Sequence, residues 1–287
     1  MSWHGQINRT LWEIQRQVEA RPGQPRYRRE LLRAHFLQRF EFDKANHVAR
    51  DDRSFLFMQE GEAPACLLLH GAQGTPAEMR ELGNQLFSGG YSVFCPRFAR
   101  EDAKGRMVSW QAWVTQAETA LDTVMTASRD VFIVGLSLGA TIALVLGETK
   151  GLRGLALLAP ALFPRLSLKG RLIEVGRYLT PTVFYRFAGW NGEVLKAMDY
   201  ARRHTKKVSI PVLALQAADD RHLSPRGLRF LRRHCPDPRS QTRTLPHGSH
   251  VLTRGAAKAE VFAAVTEFLD GTERRRDVAE ITETAAD

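Results

Sequence analysis

The stretch Val131-Phe132-Ile133-Val134-Gly135-Leu136-Ser137-Leu138-Gly139-Ala140-Thr141-Ile142-Ala143-Leu144 holds an apolar run, a glycine-bracketed serine and a second apolar run. Its first four residues read as a buried strand, and the residues from Ala140 continue as a helix. Between them the chain must turn sharply. The glycines two before and two after Ser137 have no Cβ to clash where strand and helix backbones crowd together. Such a turn lifts the serine hydroxyl above the sheet edge, at a helix N-terminus that favours negative charge. A tight turn with an incidental serine is the plainer reading of these five letters, and the flanking strand and helix weigh against it.

Working outward, short apolar runs recur at Ser54 to Met58, Ala65 to Leu69, Tyr91 to Cys95, Leu155 to Ala159 and Val212 to Gln216. The first two, separated by residues 59–64, read as strand, turn, strand. Helical patterns intervene at about Thr75 to Phe87, Trp110 to Thr126 and Ala140 to Gly147. Buried strands alternating with helices predict an α/β class: a mostly parallel sheet with helices on both faces. This core is assigned to residues 53–160 and 209–270.

Three segments fall outside the alternation. Residues 1–52 carry an apolar stripe at Ile7, Leu11, Ile14 and Val18, a break at Pro22-Gly23-Gln24-Pro25, and a second helical run from about Tyr27 to Phe42. They form an N-terminal helical extension whose expected role is packing on the main domain. Residues 161–208 mix Phe163, Phe184, Tyr185, Phe187 and Trp190 with basic residues and read as a small helical cap inserted after a sheet strand. After a helix from about Ala256 to Leu269, residues 271–287 have mixed charge and little apolar content, and read as a flexible tail.

The chain of 287 residues suits one main domain. With 44% hydrophobic and 25% charged residues it is ordinary for a globular protein, and no apolar run approaches the roughly 18 residues of a membrane span. Met1 to Gln6 carry neither a basic n-region nor an apolar h-region, so the expectation is a cytoplasmic protein. The formal net charge of +10 also suits peripheral contact with an anionic membrane surface. A nucleic-acid partner is not expected, because no zinc spacing, RNA-binding signature or basic helix with interleaved aromatics occurs. Cys66, Cys95 and Cys235 are odd in number and unpatterned, so no disulfide framework, metal site or cofactor follows. Oligomeric state is left open.

Three further segments carry chemistry. Strand Leu67 to Leu69 ends in His70-Gly71-Ala72-Gln73-Gly74, a glycine-rich loop before a helix. Such a loop can bring backbone N–H donors close to a developing oxyanion, and Ala72 and Leu138 are the candidate pair. His70 and Gly71 support that loop. A serine hydroxyl is a weak nucleophile unless an imidazole takes its proton, and the imidazole needs an acid to fix its tautomer. The strand at Val212 to Gln216 leads to Asp219-Asp220, past a strand C-terminus where open α/β sheets hold their sites. His247 and His250 follow in the last loop. The order serine, acid, histidine is therefore present, with either aspartate and either histidine as its members.

These motifs resemble the bacterial carboxylesterase and monoacylglycerol lipase-like α/β-hydrolases over about Ser54 to Leu269. The likeness rests on Leu67 to Gly71, Trp110 and Trp113, Gly135 to Gly139, and Ser249 to Thr253. In that family the acid usually precedes an apolar residue by three positions and a proline by five, which selects Asp220 through Leu223 and Pro225. The family histidine follows a small residue and precedes an apolar one, which selects His250. The resemblance implies an oxyanion hole at the N–H groups of Ala72 and Leu138. Position 72 is often a bulky aromatic in these esterases, so Ala72 opens that wall of the acyl pocket. Nothing carries over to residues 1–52.

Together these readings imply two-step ester hydrolysis with Ser137, His250 and Asp220 as nucleophile, base and acid. The substrate is a small-molecule acyl ester, and the apolar cap suggests a medium or long chain. A thioesterase or acyltransferase with the same triad is the enzymatic alternative. A catalytically silent scaffold that binds a partner is the alternative of another class.

Overall fold

A computed structural model of the chain describes residues 25–99, 108–165 and 181–284, together with Arg16 and Ala20. Each core strand alternates two apolar faces, and this alternation sets the layers. Leu67 and Leu69 of β2 (Ala65–Leu69), Val131 and Ile133 of β4 (Val131–Leu136), and Leu155 and Leu157 of β5 (Leu152–Leu158) join one core. Cys66, Leu68, Phe132, Val134, Ala156 and Leu158 face the other. Both faces are buried, as a parallel sheet requires.

Among the described residues the sheet has seven strands, ordered β1-β3-β2-β4-β5-β6-β7. The remaining strands are β1 (Phe55–Phe57), β3 (Ser92–Cys95), β6 (Val212–Ala217) and β7 (Gln241–Leu245). All pairings are parallel except that of β1 with β3. The order departs from chain adjacency twice: β1 pairs antiparallel with β3, and β2, not β3, pairs with β4.

Helices α1 (Pro25–Ala45), α3 (Trp110–Ala127), α4 (Leu138–Leu146), α5 (Pro181–His204) and α6 (Arg226–His234) cover the first face. Helices α2 (Arg80–Ser88) and α7 (Lys258–Thr284) cover the second. Helix α4 is apolar almost all round, and eight of its nine residues are buried. It lies at the centre of its layer, as a helix without a polar face must.

The first helix expected in residues 1–52 lies outside the described residues apart from Arg16 and Ala20. The second, α1, packs Leu32 and Phe36 into the first core. Its buried Asp43 accepts from Arg97 Nε at 2.7 Å and from the Ser54 N–H and Oγ–H at 3.0 Å each. A buried carboxylate with three donors ties the extension to β1 and to the chain after β3, where an unpaired one would cost several kcal/mol. Of the expected cap, residues 166–180 lie outside the described residues. The later part of α5 packs on the core: Glu193 Oε2 accepts from the Trp110 N–H at 2.9 Å, and the Tyr200 ring stands 4.6 Å from that of Trp110.

Two elements had no sequence signal that was read. Strand β7 is Gln-Thr-Arg-Thr-Leu at the sheet edge with only Leu245 buried, so it lacks an apolar run. Helix α6 is short and arginine-rich, with Leu228 and Leu231 as its buried stripe. In contrast to the flexible tail read for residues 271–287, the backbone of α7 stays helical through Thr284. Phe262, Val265, Phe268 and Leu269 bury one side of the helix. Beyond Leu269, Thr272 is also buried, and the Tyr91 hydroxyl bonds to Asp270 at 2.9 Å and to Glu273 at 3.4 Å. One glycine at position 271 costs about 1 kcal/mol in a helix, which such contacts outweigh.

Candidate active site

Ser137 sits between β4 and α4 with φ 54° and ψ −111°. Positive φ in a residue with a Cβ costs about 1–3 kcal/mol and persists only where the surroundings impose it. Here the Ser137 N–H donates to Leu158 O at 2.8 Å. Ser137 O accepts from the Thr141 N–H at 3.1 Å and the Ala161 N–H at 3.3 Å. The side chain does not cap α4, so its hydroxyl is left for other partners.

The flanking glycines are there for space. A Cβ on Gly139 would lie 2.1 Å from Leu69 O, and one on Gly135 would lie 2.5 Å from Ala140 N. Both obstacles are backbone and cannot rotate away. Gly139→Ala is therefore expected to cost about 2–3 kcal/mol or more, seen as a fall in Tm of roughly 5–10 °C. An unchanged Tm would contradict the close approach.

His250 Nε2 lies 2.9 Å from Ser137 Oγ, and His250 Nδ1 lies 3.0 Å from Asp220 Oδ2. An ionised carboxylate only accepts hydrogen bonds, so Nδ1 carries the proton and Nε2 is left to accept the serine O–H. Asp220 is 1% exposed, and its Oδ1 accepts from the N–H groups of His222 at 2.8 Å and Leu223 at 3.1 Å. Burial alone would raise the Asp220 carboxyl. The bond and attraction from His250, with the two N–H groups, outweigh burial and hold it below its ordinary range. The acid loop is in turn fastened to the chain after β5. The Arg165 N–H donates to His222 O at 2.8 Å, the Ser224 N–H donates to Phe163 O at 2.9 Å, and the Arg165 guanidinium reaches Asp220 O.

The loop at 70–74 is ordered from within. The Phe98 N–H donates to His70 Nε2 at 3.0 Å, so the His70 proton is on Nδ1 and donates to Gly71 O at 2.8 Å. The Gly74 N–H donates to the same oxygen at 3.2 Å. Gly71 C=O and Ala72 N–H belong to one planar peptide and point in opposite directions. Fixing the carbonyl therefore aims the N–H. Among the described residues neither the Ala72 nor the Leu138 N–H donates to a backbone carbonyl, and Leu138 opens α4, where first-turn N–H groups lack partners.

Residues 62–189 match the family described as serine aminopeptidase, S33. A thermostable monoacylglycerol lipase from Bacillus sp. (strain H-257) is 32% identical over 97 residues, which are 32% of this chain and 38% of the lipase. The chain thus matches less than half the length of that relative. A metagenome-derived lipolytic enzyme of the LipS and LipT pair superposes with a TM-score of 0.64 at 15% identity, over 77% of this chain and 98% of that one. The monoacylglycerol lipase of Paleococcus ferrophilus does so with a TM-score of 0.61 at 18% identity, over 76% and 98%. The chain has the α/β-hydrolase fold.

Within this fold Ser137, His250 and Asp220 form one hydrogen-bonded chain; Leu138 follows the serine as the first residue of α4, and the loop holding Ala72 comes close to it, since a Cβ on the adjacent Gly71 would lie 3.6 Å from Ser137 Cβ. The alternatives stand elsewhere: Asp219 and His247 are exposed. Among the described residues there is no cluster of metal-binding side chains, and no helix is long and apolar enough to cross a membrane. Cys66, Cys95 and Cys235 are buried thiols, all raised by burial, Cys235 to about 12. They are not poised as nucleophiles. The sequence reading passed over Arg165, which braces the acid loop, and Glu78, which packs behind the 70–74 loop. The spacing of Gly71, Gly74 and Glu78 was the available signal for the latter.

Proposed function

We propose that this α/β-hydrolase is a serine esterase that cleaves carboxylic esters through an acyl-enzyme on Ser137. The observation that carries the reading is the continuous hydrogen-bonded chain from Ser137 Oγ through His250 to Asp220 at the strained turn. His250 Nε2 accepts the serine proton as Oγ attacks the ester carbonyl, and Asp220 stabilises the resulting imidazolium. The oxyanion forms opposite the Ala72 and Leu138 N–H groups. The imidazolium returns its proton to the leaving alcohol. Water, deprotonated by His250, then attacks the acyl-enzyme and releases the carboxylic acid and Ser137.

The substrate class is a medium- or long-chain acyl ester. Support comes from the likeness to monoacylglycerol lipases, from the small Ala72 at the acyl wall and from the apolar composition of residues 161–208. A serine hydroxyl already bonded to the His250 of that chain supports a catalyst over a silent scaffold. Labelling the folded protein with a fluorophosphonate is expected to modify Ser137, and an unmodified serine would refute the esterase reading. Among p-nitrophenyl esters, octanoate is expected to exceed acetate in kcat/KM by roughly tenfold or more, at up to about 0.8 kcal/mol per buried CH₂. A preference for acetate would contradict the acyl-pocket argument. Acyl-thioesters assayed beside the esters separate a thioesterase.

A further inference from the structure

The carboxyl group of Glu78 occupies an unusual place behind the site. It ends the short helical turn Pro76–Glu78, and an acid so close to the start of α2 would ordinarily point to solvent and favour the helix dipole. Here it turns inward. A Cβ built on Gly74 would fall 1.8 Å from Glu78 Oε2, so the carboxyl fills the space that a side chain at position 74 would need. A Cβ on Gly71 would lie 3.5 Å from the same oxygen and 3.6 Å from Ser137 Cβ. The side-chain position that Gly71 leaves empty therefore borders both this carboxyl and the serine. Oε2 is buried and has no hydrogen-bond partner, a costly arrangement for a carboxylate.

The Gly71 N–H reaches this carboxyl, but among the described residues no cation forms an ion pair with it. Arg80, the nearest cation in sequence, donates instead to the carbonyls of Asp51 and Arg53 and lies 4.5 Å from the Phe55 ring centroid. The Glu78 charge adds to burial in raising the Cys95 thiol of β3, and Arg80 opposes it. From the loop after β7, Arg254 and His250 attract the Glu78 carboxyl. Asp220 and the His222 ring face the same His250 from the acid loop, the ring centroid at 4.9 Å. Burial pushes the Glu78 carboxyl above its ordinary range, opposed by a backbone hydrogen bond from Gly71 and by Arg254 and His250. The turn itself is anchored, since Thr75 Oγ1 donates to Asp52 Oδ1 at 2.6 Å.

We propose that Glu78 is a positioning residue: its carboxylate fills the concavity of the 71–74 loop, holds the Ala72 N–H beside Ser137, and presents a second negative charge to His250. His70 fixes the carbonyl side of the Gly71–Ala72 peptide, and Glu78 packs against the glycines on either side of it. The charge matters when His250 becomes an imidazolium, because it favours the protonated ring. The inference rests on the serine esterase reading.

The test is the rate of Ser137 labelling by a fluorophosphonate in the full chain, measured from pH 5 to 9. E78Q keeps the shape and removes the charge. It is expected to label roughly tenfold more slowly, short of the 10²–10³ lost when an oxyanion donor is removed outright. The acid limb of the rate should move to lower pH by about half a unit, because one negative charge facing the imidazolium is gone. An acid limb that stays in place overturns the proposal whether or not the rate falls, since packing alone would not move it. If E78Q does not fold, G74A displaces the carboxyl from the opposite side and is held to the same limb. A wild type that is not labelled defeats the esterase reading and this inference with it. A labelled wild type matched by E78Q defeats this inference alone.

Discussion

Ser137→Ala and His250→Ala are each expected to lower kcat for p-nitrophenyl ester hydrolysis by about 10⁶-fold, and the double variant is expected to be no slower than either alone. The reason lies in the chain of bonds. The hydroxyl can attack only as it passes its proton to Nε2 at 2.9 Å, so removing either end removes the same step. What persists is binding and oxyanion stabilisation, which owe nothing to the pair. Both side chains are partly exposed and small changes in packing follow, so circular dichroism and Tm should stay near wild type. Single-turnover assays with stoichiometric substrate measure the residual rates. Retention of a tenth of the activity by the serine variant would refute its role, and strictly additive losses would refute a shared step.

Asp220→Asn should cost about 10⁴ in kcat with the geometry of the site intact. The side-chain oxygen of asparagine can still accept from the His222 and Leu223 N–H groups, which places its NH₂ toward His250 Nδ1. An NH₂ group donates, so Nδ1 must give up its proton and the ring must carry it on Nε2, where it faces Ser137 as a donor. The histidine is then present in the wrong tautomer. The same carboxylate also makes stability depend on pH. Its folded value lies below the ordinary 3.8, so its contribution is fully present above that value and is lost as the pH falls through the lower folded one. Wild-type Tm is expected to fall below about pH 4 more steeply than that of D220N, read by thermal melts from pH 5 to 3. Parallel curves would show that the buried carboxylate adds no net stability.

How much of this was legible beforehand follows from the kind of signal each element carries. Strands β2 and β4 are buried on both faces and appear as unbroken apolar runs, and β5 and β6 depart from that only at Arg153 and Gln216. The strand, serine turn and helix were readable because they are contiguous and need glycines at fixed offsets. Edge strand β7 was not, since a strand half exposed to water can be built from Gln, Thr and Arg. Nor was α6, in which arginines outnumber the leucines that hold it. The choice of Asp220 over Asp219 and of His250 over His247 came from resemblance to a family, because one-residue and three-residue spacings inside loops carry no periodicity. The fold supplies a physical difference: Asp220 and His250 turn inward and bond to each other, while Asp219 and His247 remain exposed.

The amino-acid sequence by itself determined the α/β class, the serine at a glycine-bracketed turn, and an acid and histidine later in the chain. Those features are local or ordered along the chain, and hydrophobic period and turn chemistry report them directly. Only the tertiary structure decided which aspartate and histidine meet the serine, how His70 aims the Ala72 N–H, and that Glu78 stands behind Gly71 and Gly74. Each of these depends on groups brought together by the sheet, with Ser137 and His250 separated by 113 positions in the chain and joined by one hydrogen bond. Directional contacts over such separations leave no pattern in the linear sequence.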